Sequence, residues 1–299
     1  MSRRSETMEG KALDGFGEVL APQEAMEPIL SDGVRGALTA WLTEIWAEDE
    51  LLEVGLKPRT KALFHGPPGV GKTTMAHHLA ARLGLPMVVV QPERVIDAFI
   101  GSTGRNIGAL FDAAEDAGPV VLFLDEFESL GQARLQVTQG AEQERNSSLN
   151  VLLQRLERHA GIVIAATNLA GHLDQAIWRR FDMQVALELP GQGERERILT
   201  RYLAPFVLPA DQLRALAQAF NAASPALIRQ WCEAIKRQIV LGPRVGWPMG
   251  KDEAVGRVLA AVGPHPDLAK PRLWTIGVKD AAIRGLDWPL QTAEARRAA

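Results

Sequence analysis

The residues best suited to chemistry are a run from Gly66 to Thr74: Gly66, Pro67, Pro68, Gly69, Val70, Gly71, Lys72, Thr73 and Thr74. The spacing is a glycine, four residues, then Gly-Lys-Thr. Such a loop suits a polyphosphate. Backbone N–H groups at a helix start can surround the anion, and glycines let the backbone come close. Lys72 is placed to reach the β- and γ-phosphates, and the Thr73 hydroxyl to ligate Mg2+. A second constellation is Leu122-Phe123-Leu124-Asp125-Glu126-Phe127-Glu128, an apolar run that ends in carboxylates. Ligands gather at the carboxyl ends of parallel strands. Asp125 then falls near the metal held by Thr73, and Glu126 can orient and polarise a water for in-line attack on the γ-phosphate. A nucleotide-gated scaffold can do without Glu126, whereas a hydrolase needs a group in that role.

These residues need elements that bring them together. Short apolar runs recur at Ala62–His65, Met87–Val90, Val120–Leu124, Ile162–Ala166 and Val185–Leu189, and amphipathic stretches separate the first four. Nearly continuous apolar runs read as strands covered on both faces. Their alternation with helical patterns predicts an α/β fold, a parallel sheet sandwiched by helices, and the phosphate loop after its first run makes that a P-loop NTPase parallel sheet sandwiched by helices. Val34, Leu38, Trp41, Leu42, Ile45 and Trp46 mark a helix face in front of it, with Ser31 or Asp32 as cap. After Pro190-Gly191 the strands stop, and 193–205, 210–221 and 224–240 read as helices of a small all-α lid domain. The expected organisation is a mobile N-terminal arm over 1–30, a nucleotide-binding domain over 31–190, a lid over 191–245 and an extension of unassigned role over 246–299. Trp247, Trp274 and Trp288 lie in that extension; they either pack on the lid or form a docking element or ring contact.

Composition narrows the classes. The 299 residues are 46% hydrophobic and 23% charged, enough apolar material for a core. Basic residues number 33 against 36 acidic, net −3, which speaks against a nucleic-acid footprint. One cysteine, Cys232, excludes an internal disulfide and a cysteine zinc cage. No run of about 18 apolar residues occurs, and no apolar signal core follows the N-terminus, so the expected compartment is the cytoplasm, with no membrane partner.

Five stretches in register resemble the AAA+ ATPases, and within them the AAA subgroup that includes katanin, spastin and the membrane-bound AAA proteases. They are Gly66 to Thr74, Phe99-Ile100-Gly101-Ser102-Thr103-Gly104-Arg105-Asn106-Ile107, Leu124 to Glu128, Ile164-Ala165-Ala166-Thr167-Asn168, and Leu173 to Asp182 with Arg179-Arg180 inside it. The resemblance implies ATP and Mg2+ as cofactors and three further roles. Asn168, at the end of the fourth run and taken to lie beside the second, resembles the polar sensor that helps hold the attacking water or the γ-phosphate. Arg179 and Arg180 resemble arginine fingers that reach the neighbouring subunit's nucleotide, and which of them touches the γ-phosphate is open. Phe99, Ile100 and Gly101 resemble a pore loop that grips an extended polypeptide, with a second such loop in Gly131–Gly140. Glu128 stands where relatives usually have Asp, and Arg229 is a sensor candidate by proximity only.

Together these readings predict a homo-oligomer, a hexameric ring, that hydrolyses Mg-ATP to remodel, unfold or disassemble a protein or peptide substrate. An adaptor or a separate peptidase stays open as a further partner. The alternatives are a nucleic-acid-associated loader or motor of the same superfamily, against which the net charge argues, and a nucleotide-gated scaffold with little hydrolysis.

Overall fold

The computed structural model describes residues 13–96, 102–131, 139–173 and 175–298. Phe99, Ile100 and Gly101 lie outside the described residues, as does most of the second loop expected within Gly131–Gly140. The chain forms two compact units. The first takes residues 13–28, Asp32–Gly66 and Lys72–Leu187; the second takes Ile29–Ser31, Pro67–Gly71 and everything from Glu188 onward.

The first unit is built on β1 (Gly17–Leu20), α1 (Asp32–Trp46), α2 (Glu48–Glu53), β2 (Lys61–His65), α3 (Lys72–Arg82), β3 (Met87–Val90), α4 (Ser102–Asp116), β4 (Val121–Leu124), α5 (Phe127–Gly131), α6 (Gln139–Arg158), β5 (Ile162–Thr167), α7 (Gln175–Trp178) and β6 (Met183–Ala186). One sheet runs in the order β1-β3-β4-β5-β2-β6. All neighbours are parallel except β1, which pairs antiparallel with β3. Every residue of β4 and β5 is buried, as the apolar runs required. The core beneath them joins Phe111 and Ile107 of α4, Phe127 of α5, and Leu152 and Leu156 of α6.

Two expectations are corrected here. The arm expected over 1–30 is anchored where it is described. Leu13 is buried, Gly17–Leu20 adds an edge strand, and the Ala21 carbonyl lies 2.9 Å from His77 Nε2. Glu18 and Val19 face solvent, so this edge strand shows no apolar run in sequence. The fourth run, β5, lies between β4 and β2, not beside the second run, β3. Registers Leu124↔Ala165 and His65↔Thr167 bring three strand ends side by side.

In the second unit α8 (Gln192–Leu203), α9 (Ala210–Ala219) and α10 (Pro225–Val245) bury Ile198, Leu199, Leu216, Phe220, Ile228 and Trp231. Ser224 caps α10 by accepting the Leu227 N–H at 3.2 Å, and Gly246 ends it with φ 69°. The loop residue Gly69 accepts the Ala226 N–H at 3.1 Å through its carbonyl. The boundary expected at 245 does not divide this core. Val255 and Val258 of α11 (Lys251–Ala261) and Leu273, Ile283, Leu286 and Leu290 belong to it. Trp274 donates to the Val262 carbonyl at 2.6 Å and meets Phe220 edge-on, and Trp288 donates to the Met249 carbonyl at 2.8 Å. Gly- and Pro-broken segments hide this packing from periodicity, since short helices present only one or two core residues each. Nor do the strands stop at Pro190: β7 (Phe206–Val207) and β8 (Gln291–Thr292) form a small antiparallel pair. Burial pushes the Cys232 thiol well above its usual range, which makes it a packing residue.

Trp231 is fully buried against Phe220, yet its Nε1 has no hydrogen-bond partner among the described residues. Trp231→Ala should therefore destabilise by about 3–5 kcal/mol. Trp231→Phe should retain most of that stability, because it strands no polar group. Urea unfolding midpoints compare the two.

Candidate functional site

β2 runs into Gly66, whose φ is +147°. A Cβ there would collide with the Leu187 carbonyl, so both conformation and space demand glycine. After the loop, α3 opens with Lys72 and Thr73, and Thr74 follows within it. Lys72 is buried, and its Nζ donates to the Gly66 carbonyl at 2.8 Å and to Asn168 Oδ1 at 2.6 Å. Burial holds the Lys72 pKa below the usual lysine range, while the Asp125 and Glu128 carboxylates oppose that shift. Thr73 Oγ1 donates to Asp125 Oδ2 at 3.1 Å.

Asp125 ends the β4 side of this cluster and accepts the Glu126 N–H at 2.9 Å. Glu126 takes φ +45°, a conformation that side chains disfavour by on the order of 1 kcal/mol. The reversal directs the chain from strand into α5, where Ser129 N–H donates to the Glu126 carbonyl at 2.7 Å. Glu126 is exposed and lines a cavity of about 590 Å³ with Glu128, Ser129 and Leu169. Glu128 Oε1 lies 3.5 Å from the donating N–H of Asn168, and its buried Oε2 has no partner among the described residues. Sequence reading gave Glu128 only a supporting place; the structure ties it to the Asn168 backbone. Asn168 in turn reaches Lys72 because β5 lies next to β2.

Hydroxyl, ammonium, amide and carboxylates thus meet at the carboxyl end of the sheet. Two hard oxygen donors, Thr73 Oγ1 and Asp125 Oδ2, lie together here, a donor set whose chemistry would suit Mg2+. Near them His65 stands edge-on to Trp178 at 5.3 Å; burial, then the Lys72 charge, lower its pKa. No sequence signal marked His65, because it ends an apolar run.

Arg179 and Arg180 are not at this cluster. They line a cavity of about 560 Å³ with Lys57, Lys61, Glu157, His159 and Asp182. Lys61 opens β2 and His159 precedes β5, so this cavity is at the opposite end of the sheet. Five strand residues separate the two ends by about 16 Å, far beyond hydrogen-bond reach. Arg180 Nε is 2.8 Å from Glu157 Oε1. Lys61 Nζ donates to the Gly161 carbonyl at 2.6 Å and to Thr60 Oγ1 at 2.8 Å, and burial pulls its pKa down to about 8. His159 packs edge-on to Phe111, and burial lowers its pKa. Lysine at a strand start carries no motif, so sequence reading missed Lys61, Glu157 and His159.

The chain as a whole is similar to several known proteins. Residues 62–189 match the ATPase family associated with various cellular activities. An AAA family ATPase of Sinorhizobium fredii, y4kL, is 37% identical over 234 residues, covering 77% of this chain and 70% of that protein. The proteasome-activating nucleotidase of Pyrococcus horikoshii is 36% identical over 58% of this chain. The ATP-dependent zinc metalloprotease FtsH of Cutibacterium acnes is 33% identical over 84% of it. The chain spans only 45% of that nucleotidase and 34% of that protease. The crystal structure of the FIGL-1 AAA domain superposes with a TM-score of 0.67 at 19% identity, covering 89% of this chain and 94% of that domain, a likeness of fold.

The buried Lys61 gives a pH prediction. Folded, it titrates near about 8; unfolded, near 10.5. Below the lower value both states hold the proton and stability has no slope from this group. Between the two values the unfolded chain binds more protons, so stability should rise with pH. Relative to Lys61→Met, the wild type should therefore gain stability from pH 7 to about pH 9.5, read as diverging urea midpoints.

Proposed function

Because the chain belongs to the AAA family of ATPases, we propose that it works as a ring, a hexamer, in which Mg-ATP hydrolysis drives remodelling, unfolding or disassembly of a protein substrate. The observation that carries this reading is the convergence of Lys72, Thr73, Asp125 and Asn168 through contacts of 2.6 and 3.1 Å. Lys72 binds the β- and γ-phosphates, and its burial strengthens that attraction. Thr73 and Asp125 hold Mg2+, which when bound neutralises charge on the phosphate oxygens. Glu126, set on its reversed backbone beside the cavity, orients and polarises the attacking water. Asn168 fixes the water or the γ-phosphate with a neutral amide that can both donate and accept.

One guanidinium of the Arg179-Arg180 pair completes the site from a neighbouring copy. Their separation from the cluster by the length of β2 supports a head-to-tail contact, in which one copy's arginine end meets the next copy's phosphate end. Phe99, Ile100 and Gly101 are assigned to substrate grip, where an aromatic ring buries area on any side chain. The names of two relatives, a proteasome-activating nucleotidase and an ATP-dependent protease, support a protein substrate. A separate peptidase or an adaptor fits the same reading. Among the described residues no helix is long and apolar enough to cross a membrane, and the cytoplasm is proposed as the compartment.

Three outcomes test this. Lys72→Ala should lose ATP affinity; unchanged nucleotide binding would falsify the loop assignment. Glu126→Gln should bind ATP but turn over at least about a hundredfold slower. Mixed in equal amounts with a protein carrying both Arg179→Ala and Arg180→Ala, itself inactive, it should recover activity, since about a quarter of the seams in random rings join an intact Glu126 to an intact arginine pair. Phe99→Ala should hydrolyse ATP yet fail to process its substrate; captured substrate that is still processed removes Phe99 from the grip.

A further inference from the structure

The two arginines have different surroundings. They form the turn that follows α7, where the Arg179 N–H donates to the Gln175 carbonyl at 3.3 Å and the Arg180 N–H to the Ile177 carbonyl at 3.0 Å. Ile177 and Phe181, on either side, are both buried and fix that orientation in the core. Arg179 is exposed, and among the described residues its side chain has no hydrogen bond or ion pair. Arg180 is half-buried. Its Nε is shielded from solvent and lies 2.8 Å from Glu157 Oε1, near the end of α6, an ion pair without the alignment of a hydrogen bond. A guanidinium beside a carboxylate of its own subunit has part of its charge offset and is drawn toward that carboxylate by Coulomb attraction.

We propose that Glu157 divides the labour of the arginine pair: it fixes Arg180 inside its own subunit as a strut, leaving Arg179 as the guanidinium that engages the neighbouring copy's γ-phosphate. This inference rests on the reading that the arginine pair completes a shared site. Glu157 is a positioning residue that acts through Arg180. The Glu157–Arg180 pair sets the end of α7 against α6, and Arg179 is carried on that end. Arg179 is therefore the catalytic contact, and it needs the planar fork that bridges phosphate oxygens. Arg180 needs only a cation opposite Glu157. The two positions differ in what lysine can replace: an ammonium can pair with a carboxylate, but it cannot reproduce the fork.

Steady-state ATP turnover of the full chain, with kcat and KM separated, reads this out. Arg179→Ala and Arg179→Lys should each lower kcat at least about a hundredfold, within the range attributed to arginine in phosphoryl transfer. Arg180→Ala should lower kcat by less than about tenfold, and Arg180→Lys should be near normal. Glu157→Gln should match Arg180→Ala with KM for ATP unchanged, Glu157→Asp should restore turnover, and the double variant should be no worse than either single one. The lysine and glutamine variants keep side-chain bulk, so they report even where an alanine variant unfolds. If Arg180→Lys is as damaging as Arg179→Lys, or if Glu157→Gln and Arg180→Ala add independently, the division of labour is overturned while the shared site stands. If no arginine variant alters turnover, the shared site itself falls.

Discussion

The hydrogen bond between Thr73 and Asp125 joins two residues that are 52 positions apart in the chain, and the contact between Lys72 and Asn168 spans 96. Both exist only because β4, β5 and β2 lie side by side in that order and point the same way. A parallel sheet delivers the ends of consecutive strands to one edge, and at that edge the chain turns into helices and loops that carry polar groups. The apolar strand interiors do no chemistry. Their burial fixes the positions of the groups that follow them to within hydrogen-bonding distance.

The same sheet that gathers these residues keeps Arg179 and Arg180 away from them. A strand is a rigid spacer, and its two ends cannot meet within one molecule. The cationic cavity and the Lys72–Asp125 cluster therefore stand at opposite ends of a single unit, an arrangement suited to head-to-tail repetition. On the proposed reading, turnover becomes a property of the contact between copies, and a change in how copies meet alters hydrolysis directly.

Burial of charge recurs at both ends. Lys72 and Lys61 are each nearly inaccessible, and each is satisfied by oxygen acceptors. An ammonium in this setting is held in one place, which suits a phosphate-binding lysine. Asp280, 1% exposed in the second unit, is handled in the same way by Arg272 at 2.8 Å and by the Ala282 N–H. There the buried pair ties the segments after α11 to one another, while Leu273 and Ile283 beside it join the core of Phe220 and Trp231, so the tail is part of one body.

Much of this was legible in the residues. The glycine-lysine-threonine spacing, the acids closing an apolar run and the alternation of strand and helix patterns are local, and a phosphate loop needs local chemistry only. The family follows from those motifs in order. What the chain could not reveal by local pattern depends on distant pairing: that β5 separates β4 from β2, that residues 17–20 join the sheet as an edge, and that the segments beyond 245 share the second core. The partners Glu128–Asn168 and Glu157–Arg180 belong to the same class. A side chain's neighbour across space is set by which strands pair and which helices cover them, and sequence spacing carries no record of that choice.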